Sequence, residues 1–177
     1  MKAVLRRWLR APGSLSRRLS ALGRFEVQTL REGVARLLPG ERCGMTSASG
    51  RHWVREVILR VDGMPVVWAR SVTPCRVKCG PWRAVRQLGT RPLAQLLFDD
   101  PSVVRSALRS EVHRCGAMWH RRANAAWRSG GSIAWPSAVV AGRSSVFIRH
   151  GMPLRVFEAF STDVVEKLGV CRRRFSL

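Results

Sequence analysis

The stretch that most constrains this chain is RHWVREVILRVDGMPVVWARSVTP, Arg51 to Pro74. Trp53, Val57, Leu59 and Val61 recur at every second position, the pattern of a strand with one apolar face, and Arg55 falls on that same face. Asp62-Gly63 suits a two-residue turn whose central residues both need positive φ. The run Val66 to Val72 returns from it, with Val66, Trp68 and Val72 on the even positions and Arg70 among them. A guanidinium aimed into an apolar layer keeps its charge, so it requires an anion, either an internal carboxylate or a ligand.

A second hairpin carries the opposite anomaly. SVFIRHGMPLRVFEAF, Ser145 to Phe160, turns at His150-Gly151-Met152-Pro153 as the first turns at Gly63-Met64-Pro65, which predicts two hairpins in one antiparallel sheet. Leu154, Val156, Glu158 and Phe160 share a face, so Glu158 points inward. An inward Arg and an inward Glu on different strands either neutralise each other as a buried pair or flank a ligand cavity. Two inward arginines, Arg55 and Arg70, against the single Glu158 favour the cavity, because positive charge is left for an anionic ligand. A carboxyl between apolar neighbours, opposed by an Arg, suits general acid or base work near neutral pH.

Around the hairpins the chain reads as short elements. Ala3 to Arg10 is predicted helical, ended by Ala11-Pro12-Gly13; Ser14 caps a second helix, Leu15 to Leu22, ended by Gly23. Phe25 to Arg31 alternates as a strand, and Val34 to Leu38 leads into a loop reaching Gly50. Pro81 opens a short helix bearing Trp82, Val85 and Leu88; after Gly89, Pro92 opens another bearing Leu93, Leu96, Leu97 and Phe98. Such a pair is expected to cover a sheet face, since its second helix is too apolar to read DNA. Residues 99–141 read as an irregular insertion, helical at most over Val103 to Cys115, with no consistent period in Trp119, Trp127 and Trp135. The tail, 161–177, ends in the unpatterned CRRRFSL and is expected to fray.

With 177 residues the chain holds one substantial core, and nothing divides it, so 1–177 is expected to be a single domain. A net charge of +21 suggests polyanions, but only three of the 32 basic residues are lysine and the arginines are spread over the whole length. A basic surface with a specific pocket is therefore preferred over a nucleic-acid footprint. Five cysteines without a paired framework fit a reduced, cytoplasmic setting. Neither Cys75-x3-Cys79 nor His113-x-Cys115-x4-His120 has the spacing of a structural zinc site, so no metal is expected. No apolar run is long enough to cross a membrane. The Arg- and Ser-bearing, acid-free first 24 residues resemble a transit peptide in composition, in competition with an amphipathic helix pair belonging to the fold. No nucleophile elbow, dinucleotide fingerprint or phosphate loop occurs.

Four pieces, WLRAPGSLSRRL, VREVILRVDGMPVVWARSVTP, LGTRPLAQLLF and GRSSVFIRHGMPLRVFEAF, in this order and spacing, resemble the chorismate pyruvate-lyase family. The resemblance runs from Trp8 to about Phe98 and resumes from Gly142 to Phe160; the stretch between looks expanded and the tail does not match. It implies a single α+β domain, an antiparallel sheet of about six strands, with short helices as flaps over a buried ligand site. It also implies that Arg55 and Glu158 bind the ligand, with further contacts from Leu15, where Met can stand, and from Leu93. The implied reaction eliminates pyruvate from chorismate to give 4-hydroxybenzoate for ubiquinone synthesis, in a cytoplasmic monomer needing no cofactor. On this reading Arg55 holds a carboxylate of the dianionic substrate, Glu158 is the acid or base, and Arg70 lends secondary charge. Two alternatives stand: a non-catalytic effector-binding domain of the same architecture, and, more weakly, a basic nucleic-acid-binding protein.

Overall fold

The computed structural model describes residues 3–42, 51–75 and 80–162. The expected frayed tail, the loop before Gly50 and one half of the Cys75/Cys79 pair lie wholly or largely outside them. Among the described residues one antiparallel sheet runs through the molecule. Its strands are β1 (Phe25–Ala35), β2 (His52–Val61), β3 (Met64–Pro74), β4 (Val103–Arg105), β5 (Arg109–Arg114), β6 (Val139–Arg149) and β7 (Met152–Phe160). They lie in the order β1-β2-β3-β7-β6-β4, and β5 pairs with another part of β6.

Both hairpins form as predicted. Asp62 and Gly63 have φ of 50° and 74°, His150 and Gly151 have 46° and 74°, so the two turns share one conformation with positive φ at both central residues. β3 and β7 pair side by side and join the hairpins in the middle of the sheet.

Helices cover both faces. On one, α1 (Ala3–Arg10) and α2 (Leu15–Ser20) bury Leu5, Leu9, Leu15 and Leu19 against Val27, Val57, Leu59 and Phe160. The Ser14 hydroxyl accepts the Arg17 amide at 3.2 Å, the predicted cap. This pair belongs to the core, as the helix-pair reading of the N-terminal segment requires. On the same face a 3-10 turn (Arg83–Gln87) and α3 (Ala94–Phe98) pack Trp82, Val85, Leu88 and Leu97 on Phe147, Leu154 and Val156.

Expectation and structure part over residues 99–141, whose helix covers the opposite face of the sheet. Instead of irregular chain with a helix over Val103 to Cys115, there are the strands β4 and β5 and then a helix, α4 (Met118–Ser129). β5 is formed by pairing with β6, which overrides its polar composition. α4 buries Trp119, Ala123, Ala126 and Trp127, a helical stripe in which the two central members are alanines. Trp135, in the following loop, meets Trp127 edge to face at 4.8 Å, and the cluster closes on Ile58, Trp68, Val140 and Phe157. With both faces covered, β2 and β3 are buried at nearly every position, and alternation alone does not say which face a residue serves.

Candidate functional site

Between the sheet and the helices α2 and α3 lies a cavity with apolar walls and a few converging charged groups, the character of a small-molecule site. Its floor is Val57, Leu59, Ala69, Ser71 and Val156, and its rim comes from two flaps, Gly13 to Ser16 and Pro92 to Phe98. Three charged side chains enter it: Arg55, Glu158 and Arg105.

Arg55 rises from β2 and is 2% exposed. Its Nε donates to Glu32 Oε1 at 2.8 Å, while Nη2 donates to the carbonyls of Gly89 at 2.7 Å and Arg91 at 3.3 Å. Desolvation pushes its pKa down, with Glu32 opposing this. The guanidinium thus pins the second flap to the sheet and faces the cavity already paired with one carboxylate.

Glu158 stands on β7 on the same face. Its carboxylate accepts from Arg143 Nε at 2.6 Å, and Arg143, 1% exposed, also donates through Nη1 to the carbonyls of Ala11 at 2.6 Å and Trp8 at 3.2 Å. A salt-bridged side chain anchored to the end of α1 therefore fixes the orientation of Glu158. Arg143 was not among the predicted residues, yet its position is legible: with a two-residue turn at His150-Gly151, β6 and β7 stay in register and Arg143 falls opposite Glu158.

Arg105, also unpredicted, reaches the cavity from β4. Its Nε donates to Ser145 Oγ at 3.0 Å and Nη1 to the Gly13 carbonyl at 3.5 Å. The guanidinium carbon lies 5.7 Å from the Phe98 ring centre and 5.2 Å from that of Phe147. Burial lowers its pKa, Glu158 opposes this and Arg143 adds to it.

Leu15 and Leu93, implied by the family resemblance, both line the cavity, one on each flap. Arg70 does not, and its assignment to the ligand is corrected. The regular register of a two-residue turn would place Arg70 opposite Arg55. A β-bulge between Leu59 and Arg60 shifts the pairing by one residue, so that Ser71 lies opposite Arg55 and Arg70 opposite Glu56. Arg70 consequently points to the other face. There its Nε donates to Glu41 at 2.6 Å and its Nη1 to Glu56, which Arg122 of α4 also contacts. Two arginines and two glutamates balance each other in this cluster. Burial alone would raise the Glu56 carboxyl, but Arg122 and Arg70 overcome it and hold it below its ordinary value.

The histidines and the described cysteines have other surroundings. His113 stacks on Trp119 at 4.9 Å, His120 Nε2 lies 3.0 Å from the Ser137 carbonyl, and Cys115 is exposed. Among the described residues no group of three or more His, Cys, Asp or Glu is placed to hold a metal ion.

The chain is similar to known proteins. The model of the family described as chorismate lyase matches residues 1–133. A probable chorismate pyruvate-lyase of Albidiferax ferrireducens is 44% identical over 158 residues, covering 88% of this chain and 80% of that protein. One from Bordetella pertussis is 38% identical over 154 residues, covering 86% and 79%. Among solved structures, PhnF from Mycobacterium smegmatis has a TM-score of 0.61 at 10% identity, covering 86% of this chain and 65% of that one. The PhnF C-terminal domain gives 0.57 at 11% identity, covering 87% and 91%. At such identities these two share the fold alone.

Proposed function

The chain belongs to the chorismate lyase family, and on that premise we propose how its pocket removes pyruvate from chorismate to leave 4-hydroxybenzoate. The observation that carries the proposal is the convergence of Arg55 and Glu158 in one cavity that the flap residues Leu15 and Leu93 also line.

Chorismate is a dianion, and a cavity with apolar walls admits it only where guanidinium groups replace the lost hydration. Arg55 supplies one such group and holds the ring carboxylate. The elimination removes the proton from the ring carbon bearing the hydroxyl. It breaks the neighbouring carbon–oxygen bond with the electron pair going to the enolpyruvyl oxygen, and the enol takes up a proton as it becomes pyruvate. Aromatisation of the ring drives the step, which is redox-neutral and draws on no cofactor. On this reading Glu158, held by Arg143, carries the proton while the flaps exclude water. Arg70 takes no part in this scheme.

The product class suits a role in ubiquinone synthesis, and the enzyme is assigned to the cytoplasm as a monomer. No described helix is long and apolar enough to cross a membrane. Incubation of the purified chain with chorismate tests the reading: pyruvate and 4-hydroxybenzoate are expected in equal amounts. Binding of chorismate without pyruvate release would favour the effector-binding alternative. Salt-sensitive retention on nucleic acid with no chorismate turnover would favour the nucleic-acid one.

A further inference from the structure

We infer that Arg105 is the anchor for the second carboxylate of the substrate, the one that departs with the enolpyruvyl group. The inference rests on the lyase reading above and goes beyond it by giving each carboxylate its own residue.

The argument is a count of charge inside the cavity. Arg55 is paired with Glu32 through Nε and has Nη2 occupied by two flap carbonyls, so what it offers the ring carboxylate is Nη1, which makes none of these bonds. Glu158 is neutralised by Arg143. Arg105 is the remaining charged group of the lining, and among the described residues it joins no ion pair. Its polar contacts are one hydroxyl and one long bond to a carbonyl, both neutral, and Nη2 is bonded to neither. A half-buried cation that meets no carboxylate loses part of its hydration without a countercharge, a cost that an entering anion offsets.

Geometry adds that the group is pre-positioned. The guanidinium lies against both Phe98 of the second flap and Phe147 of β6, whose rings meet each other edge to face, and Ser145 fixes Nε. An arginine so held needs little reordering to present a donor fork to a carboxylate. Arg105 is also close enough to Glu158 to feel its charge. A carboxylate on Arg105 therefore lies on the side of the cavity where the proton is carried, as the departing enolpyruvyl group requires. The ring carboxylate is left to Arg55 on the far strand.

The two carboxylates can be separated by ligand. Chorismate carries both; 4-hydroxybenzoate keeps only the ring carboxylate. For Arg105→Gln in the full chain, KM for chorismate is expected to rise roughly 10- to 100-fold, the loss typical of one charge-assisted interaction. The Kd for 4-hydroxybenzoate, by calorimetry, is expected to stay within about threefold of wild type. Arg105→Lys should recover part of the chorismate affinity. An unchanged KM, or equal losses for chorismate and 4-hydroxybenzoate, would overturn the inference. Should Arg105→Gln fold poorly, the same two ligands are compared with Arg105→Lys, for which a selective rise in the chorismate KM supports the assignment and a common or absent change overturns it. A wild-type chain that forms no pyruvate defeats the lyase reading itself, an outcome distinct from an indifferent Arg105 in an active enzyme.

Discussion

Within the cavity, Glu158 and the residues that hold it set what the site can do. Glu158→Gln preserves shape and removes the ionisable proton carrier, so kcat for pyruvate release should fall by roughly 10²- to 10⁴-fold with a modest change in KM. Stopped assays of both products check this, and turnover within about threefold of wild type would exclude Glu158 from proton transfer. Arg55 and Glu158 could be read from the chain because each interrupts an apolar alternation with a charge that cannot be left unpaired. Arg143 was readable in principle from the register of the second hairpin, but that inference needs the turn geometry as well as the pattern. Arg105 was not readable: β4 has three residues, too short for alternation to show, and its neighbours resemble a helix as much as a strand.

Spacing between strands is the next constraint, and Gly142 illustrates it. A Cβ there would lie 2.5 Å from Phe157 Cζ and 2.7 Å from the Glu158 carbonyl, so β6 and β7 approach as closely as they do because residue 142 is glycine. Gly142→Ala should push the β7 backbone away at Glu158, with stability falling by about 1–3 kcal/mol in urea titration and turnover falling with it. An alanine variant with wild-type stability would show that the strands yield without strain. Both hairpins, the two flap helices and the Ser14 cap were legible, since local turn and capping chemistry decides them. Two features were hidden. The bulge in the first hairpin has no local signature, and its one-residue slip reverses the face of Arg70. α4 was masked by Gly130 and Gly131 just past its end and by alanines in its buried stripe, which carry little hydropathy signal.

Across the whole molecule, the cluster of Arg70, Arg122, Glu41 and Glu56 fastens β2, β3, α4 and the loop after β1. Glu56 has a folded pKa below its ordinary 4.5, so its contribution to stability is complete above that pH and is lost as pH falls through the folded value. Glu56→Gln should therefore cost about 3–5 kcal/mol at neutral pH and flatten the acid limb of the stability curve, as urea titrations from pH 7 downward would show. A second property belongs to the chain as a whole: net charge +21 attracts a dianionic substrate. Raising ionic strength from about 0.05 to 0.5 M should lower kcat/KM while leaving kcat nearly constant. Equal effects on both would place the salt sensitivity in the chemical step. The slip in the first hairpin makes the two faces of the sheet separately exchangeable. Because it turns Ser71 toward the cavity and Arg70 toward α4, a change of charge in the Trp-rich layer leaves the lining of the substrate cavity untouched. Residues 41, 56, 70 and 122 can therefore be exchanged together, even for an apolar patch, as a unit separate from the lining of the cavity.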